Sequence, residues 1–145
     1  MISDIVSGIT HSLPLQVSER LLVTAFSRDF PAFADLPPVF ATAFMVGFIE
    51  WACIEALHPW LPDGETTVGT HVYLSHVSPT PLGMKVTANV ELLEAKGRTL
   101  RFSVACYNEC GLIGSGFHER TVIDPRHFMA KVRKKATTLP GRLAA

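Results

Sequence analysis

Residues 37–61, PPVFATAFMVGFIEWACIEALHPWL, decide the fold. The stretch opens on two prolines, which suit the first turn of a helix because that turn has no internal use for the N–H that proline lacks. Val39, Phe40, Phe44, Met45, Val46, Phe48, Ile49, Trp51, Ile54 and Leu57 then cover nearly every side. A helix without a polar face is expected to be buried all round. His58-Pro59 ends it, since the residue before a proline avoids helical backbone. One carboxylate, Glu50, stands in the middle, between Ile49 and Trp51. Burying even an uncharged polar group without a partner costs roughly 2–7 kcal/mol, and a carboxylate costs more. Glu50 is therefore paired inside, or serves chemistry, or looks into a cavity.

On the C-terminal side, Pro62, Asp63 and Gly64 make a turn, and the period changes from helical to two. In residues 67–78, Thr70, Val72, Leu74 and His76 share one face. In the next strand Met84, Val86, Ala88, Val90 and Leu92 alternate with Lys85, Thr87, Asn89, Glu91 and Leu93, which gives it one wet side. Lys96-Gly97 signals a tight hairpin. Leu100, Phe102, Val104 and Cys106 then line one face of a strand, and residues 112–123 form the last one. Asp124-Pro125 caps a short helix over residues 126–135, and the tail beyond it is expected to be loose. On the N-terminal side, residues 16–26, QVSERLLVTAF, read as a first strand, with residues 1–15 an irregular arm. Residues 27–36, with Phe30, Pro31 and Phe33, read as a turn and a small helical piece, either a lid or a packed connector. The order is strand, long helix, four strands joined by tight turns. Antiparallel strands curling around one apolar helix make an α+β domain, and residues 1–145 are read as one such unit.

Composition narrows the partners. Thirteen Lys or Arg balance thirteen Asp or Glu, so no electrostatic case for nucleic acid exists. The central apolar run is broken by Glu50, which argues against a membrane span. No Lys or Arg precedes Arg20, so the start does not read as a signal peptide. Cys53, Cys106 and Cys110 are odd in number and lack metal-type spacing with histidine, so no metal or other cofactor is expected and a reduced, cytoplasmic setting fits best.

Three side chains are candidates for chemistry. His76 follows Val72 and Leu74 on the face expected to point inward. Alone it reads as a core histidine bonded to a carbonyl, but beside Glu50 it would form a proton-sharing pair of the kind used in acid–base catalysis. Thr42 alone reads as a helix threonine bonded to the preceding turn. Thr42 and Glu50 are eight residues apart, so they lie ~80° apart around the helix and ~12 Å apart along it. They cannot both touch one small group unless His76 bridges them or a second subunit supplies one, which hints at a site on a dimer interface. Gly69 is either a bulge glycine or a place where a ligand meets backbone N–H. Gly114 and Gly116 admit the same readings, with sheet packing against another chain at least as good. Arg120, on the Gly114, Gly116, His118 face, is either solvated or suited to a phosphate or carboxylate. Lys131, Arg133, Lys134 and Lys135 read as a solvated helix end.

Several strings in this chain are shared with a known family. PPVFATAFMVGFIEWAC, VGTHVYLSHVSPTPLGMKVTANVEL, IGSGFHERTVI and FMAKVRKK together resemble the fluoroacetyl-CoA thioesterase family of hot-dog proteins, over roughly residues 31–135. The resemblance implies an antiparallel sheet wrapped around one long central helix, and a homodimer joined edge to edge. It implies hydrolysis of a small acyl-CoA to the acid and free CoA, with CoA present only as part of the substrate. The family's catalytic threonine, glutamate and histidine match Thr42, Glu50 and His76. Its oxyanion glycine matches Gly69 and its active-site arginine matches Arg120. Aromatic lid residues are matched by Phe33, whereas Leu36 stands where a phenylalanine is expected and Ala43 where a glycine is expected. The implied site sets the thioester carbonyl beside the Gly69 N–H and the Thr42 hydroxyl, with Glu50 attacking directly or activating water and His76 moving the proton. A non-catalytic acyl-CoA binding domain on the same fold is the rival, and an enoyl-CoA hydratase would use a similar carboxylate–histidine pair.

Overall fold

The computed structural model describes residues 2–139. One five-stranded antiparallel sheet carries the chain. Its strands are β1 (Thr10–Gln16), β2 (Thr66–Leu74), β3 (Lys85–Lys96), β4 (Thr99–Asn108) and β5 (Gly111–Ile123), in the spatial order β1-β3-β4-β5-β2. The helix α1 (Thr42–Leu57) lies across the sheet, and α2 (Pro125–Thr137) follows β5. The part of the tail beyond residue 139 falls outside the described residues.

The two central hairpins follow directly from alternation. Val86, Ala88, Val90 and Leu92 of β3 are buried, as are Leu100, Phe102, Val104 and Cys106 of β4. Met45, Phe48, Ile49, Ala52, Cys53, Ala56 and Leu57 of α1 pack on that face. A side chain such as Phe102, fully removed from water, contributes about 1.5–3 kcal/mol relative to its exposed state. Gly97, at φ +57, turns the β3–β4 hairpin in the left-handed region that its Lys-Gly signal anticipates. Asp124 caps α2 by accepting from the Arg126 N–H at 2.9 Å.

Four expectations need correction. The first strand is Thr10–Gln16, and residues 16–26 mostly form 3-10 turns at Glu19–Leu21 and Val23–Phe26. Pro14 is tolerated because β1 is an edge strand, where a missing N–H breaks no ladder on the outer side. The helix ends before His58-Pro59 as expected but starts at Thr42 instead of at the prolines, because Val39–Phe40 is engaged elsewhere: the Val23 N–H donates to the Val39 carbonyl at 2.9 Å, and the Phe40 N–H donates to the Thr80 carbonyl at 2.9 Å. Nor is α1 buried all round, since Trp51 and Ile54 are 43% and 41% exposed. Finally, β2 ends at Leu74, so His76 lies beyond the strand. A bulge between Gly69 and His71 also breaks the assumed alternation, and Val72 and Tyr73 are exposed on this outer strand.

Candidate active site

The inward face of β5 changes character along its length. Gly114, Gly116, His118, Arg120 and Val122 alternate toward α1, in register with the buried β4 residues Cys106, Val104, Phe102 and Leu100. His118 and Arg120 thus occupy positions that β4 fills with hydrocarbon. A buried cation is stable only when paired and hydrogen-bonded. Arg120, 4% exposed, meets that demand through four contacts. Its Nε donates to Thr67 Oγ1 at 2.8 Å and one terminal nitrogen to the Thr67 carbonyl at 3.0 Å. The other terminal nitrogen donates to Glu50 Oε2 at 2.8 Å and to His118 Nε2 at 3.1 Å.

The partner of Glu50 is therefore Arg120, with His118 Nε2 at 3.9 Å. No hydrogen bond or ion pair joins Glu50 to His76 within the protomer among the described residues. The Glu50 side chain is about one-third exposed, so the carboxylate borders solvent instead of being sealed in. His118 has one consistent protonation pattern. The His71 carbonyl can only accept, so Nδ1–H donates to it at 2.8 Å and Nε2 accepts from Arg120. Burial, aided by the Arg120 charge, lowers its pKa and keeps the ring neutral.

Gly69 has a specific reason to lack a side chain. A Cβ there would stand 2.6 Å from Glu50 Oε2, 3.2 Å from His118 Cε1 and 3.3 Å from the nearer Arg120 nitrogen. Gly114 and Gly116 make room within the chain itself, since side chains there would overlap the Ser75 and Tyr73 carbonyl oxygens. Cys53 also lies close to this cluster, but burial pushes its thiol up to about 12, which rules out a thiolate nucleophile at neutral pH.

Thr42 and His76 form a second, separate pair. Thr42 Oγ1 and His76 Nδ1 are 2.7 Å apart, and the ring meets Phe40 edge-on at 6.5 Å. Burial lowers the His76 pKa, so the ring is neutral near pH 7. Its Nε2 is buried without a hydrogen-bond partner. A buried ring nitrogen in that state is poised for a group that the isolated protomer does not supply.

Thr42 also floors an apolar cleft of about 660 Å³, with Val23, Phe26, Phe30, Phe33, Leu36, Ala41 and Ala43. Phe26 stacks on Phe44 at 4.8 Å and contacts Phe33 at 5.6 Å. Residues 27–36 thus act as a wall of this cleft. Leu36 is 45% exposed at its rim.

Of the candidates from sequence, the fold brings Glu50, Gly69 and Arg120 together, and separately Thr42, His76, Phe33 and Leu36. His118 and Thr67 were missed. For His118 the signal was present, because it shares the period-two face of Arg120. Among the described residues no group of three or more His, Cys, Asp or Glu side chains could hold a metal ion, and no helix is long and apolar enough to cross a membrane.

Known proteins share this fold. The model of the fluoroacetyl-CoA-specific thioesterase family matches residues 17–126. A fluoroacetyl-CoA thioesterase from Streptantibioticus cattleyicolor is 48% identical over 107 residues, covering 74% of this chain and 77% of the relative. The crystal structure of the fluoroacetyl-CoA thioesterase FlK superposes with a TM-score of 0.87 at 40% identity, covering 90% of this chain and 97% of that one. A Thermus thermophilus thioesterase superfamily member superposes with a TM-score of 0.80 at 27% identity, covering 88% of this chain and 90% of that one.

Proposed function

The chain belongs to the fluoroacetyl-CoA-specific thioesterase family, and from that membership we propose how it works as an acyl-CoA thioesterase. The reaction is hydrolysis of an acyl-CoA to the free acid and CoA. We assign Thr42, Glu50 and His76 to catalysis, with Gly69 and Arg120 binding at the carbonyl end and Phe33 and Leu36 bordering the acyl group. The three free cysteines suit a reducing compartment, and we assign the protein to the cytoplasm.

One observation carries the mechanism: the machinery is split into two half-sites, Thr42–His76 and Glu50–Arg120, on a helix whose outer side is open. A two-fold homodimer formed by antiparallel pairing of the bare β2 edges would reunite them. Pairing centred on Tyr73 brings Gly69 and Thr70, at the β2 bulge, against His76 of the partner subunit. The thioester then lies across the interface, with its carbonyl oxygen near the Gly69 N–H and the Thr42 hydroxyl. Arg120 holds one Glu50 oxygen and leaves the other to deliver the nucleophile, as carboxylate or through a water. When water attacks, the neutral His76 ring accepts the proton that water releases and passes it to the departing thiolate; when Glu50 attacks directly, CoA leaves as the thiolate and His76 takes its proton from the water of the second, hydrolytic step. Thiolate leaves readily, so orientation and exclusion of water contribute more than acid assistance.

Mixing two inactive proteins tests the split site. Glu50→Gln and His76→Ala should each lose at least about a hundredfold in turnover, the usual weight of acid–base or nucleophilic groups. After subunit exchange, half of the dimers are mixed and each holds one intact site, so about a quarter of wild-type activity should return. No recovery would place both groups in the same protomer. Two wild-type rates would remove the catalytic assignment of Glu50 and His76. Trapping tells the two Glu50 routes apart, because direct attack expels CoA and leaves a mixed anhydride on Glu50 that hydroxylamine intercepts, whereas the water route forms no covalent intermediate.

For the acyl group, Phe26, Phe33 and Phe44 favour small substituents such as fluoroacetyl and acetyl. A thiol-release screen across acetyl-, fluoroacetyl-, longer and aryl-CoA esters checks this. Preference for chains beyond about eight carbons would contradict it, since the cleft would then have to lose its aromatic wall.

A further inference from the structure

We propose that α2 is the binding site for the phosphate groups of CoA, an inference that rests on the acyl-CoA reading and adds a subsite to it. Its thirteen residues hold Arg126, Lys131, Arg133, Lys134 and Lys135 and no acidic residue, whereas the rest of this neutral chain carries more acids than bases. None of the five makes an ion pair or side-chain hydrogen bond among the described residues. Favourable placement at the negative end of the helix dipole accounts for Lys134 and Lys135 in the last turn. It does not account for Arg126, which stands in the first turn, where a cation opposes the dipole. Nor does it account for Lys131, which repels Lys135 one turn away. An anion with several charges would relieve both.

The helix is also well shaped and placed for this ligand. Arg126 and Arg133 flank one side of a half-exposed stripe of Phe128, Met129 and Val132, and Lys131 and Lys135 flank the other. Apolar surface between cations suits a nucleotide, which presents a flat base and phosphates together. The first turn of α2 follows Arg120 by only a few residues, at most about 17 Å of extended chain, and the helix continues for about 20 Å. The pantetheine arm separates the thioester from the phosphates of CoA, so a phosphate site must stand away from Glu50 yet within one ligand's reach. A long polyanion is a poor match, because the charge is confined to one short helix on an otherwise acidic chain.

Titration calorimetry of free CoA, dephospho-CoA and pantetheine tests the site without turnover. Wild type should bind CoA about tenfold or more tightly than pantetheine, with dephospho-CoA between them, and the preference should shrink as salt rises. The combined Arg126→Ala, Lys131→Ala, Arg133→Ala, Lys135→Ala protein should lose that preference, and the single Arg133→Glu protein should lose part of it. In kinetics, the advantage of acetyl-CoA over acetyl-pantetheine in kcat/KM should fall by the same factor, mainly through KM. Equal affinity of wild type for CoA and pantetheine would overturn the proposal, as would unchanged CoA affinity in the combined variant. Phosphate-dependent CoA binding lost in that variant, with no acetyl-CoA hydrolysis by wild type, would uphold the subsite and sink the thioesterase reading instead.

Discussion

Gly69 shows how narrowly single residues define this site. Because a Cβ there would press on Glu50 Oε2 and crowd both His118 and Arg120, Gly69→Ala should move the carboxylate and leave the fold intact. The expected result is a loss of about tenfold or more in kcat/KM with a melting temperature within a few degrees of wild type, since only the free end of a side chain must yield. His118 makes a different prediction. It is neutral in the folded protein, with a pKa below its ordinary value because of burial. The unfolded chain therefore takes up a proton first as pH falls through about 6.5, and stability declines from there down to the depressed folded pKa. Denaturant unfolding of wild type and His118→Asn between pH 4.5 and 7.5 checks this, and the variant should show a shallower decline. The groups facing His118 are Arg120, Glu50, Glu119 and the His71 carbonyl. The neutral His118 ring, which accepts from Arg120, makes it a positioning residue for Glu50.

Among the elements, α2 is the simplest to perturb. Asp124→Ala removes its cap and should cost about 1 kcal/mol of helix stability. Hydrogen exchange should quicken over residues 125–137 and leave β3 and β4 protected. The elements differ in how plainly the sequence announced them, and the reason is physical. β3 and β4 alternate cleanly because one side of each meets α1 and the other meets water. β1 was hidden because Pro14 argues for a loop unless the strand is known to be outermost, and sheet order is not a local property. The core of α1 was legible, but its start was not, since hydrogen bonds with distant residues 23 and 80 hold Val39 and Phe40 out of the helix. The partner of Glu50 was misread for a related reason. Carrying strict alternation from Thr70 to His76 ignored the bulge after Gly69 and the strand's end at Leu74. Arg120 and His118 shared a legible face, but only the β4–β5–β2 neighbourhood reveals that this face meets Glu50.

For the molecule as a whole, the proposed dimer makes activity depend on association. Tyr73, 78% exposed near the middle of β2, is the place to test it. Tyr73→Lys puts like charges beside one another at the two-fold axis, a device that natural edge strands use against pairing. The variant should elute as a folded monomer and lose most hydrolysis, although Thr42, Glu50 and His76 are untouched. A monomeric protein with full activity would show that each protomer is complete. The two borders of the sheet are not equivalent, and that has a further effect. β1 has a proline in its middle, whereas β2 contains no proline and presents its amides and carbonyls along the edge on both sides of its bulge. A sheet adhesive on both flanks could add copies without end and grow into a fibre. With one flank blunted, the proposed pairing through β2 would stop at two, so the same Pro14 that disguised a strand would also cap the size of that assembly.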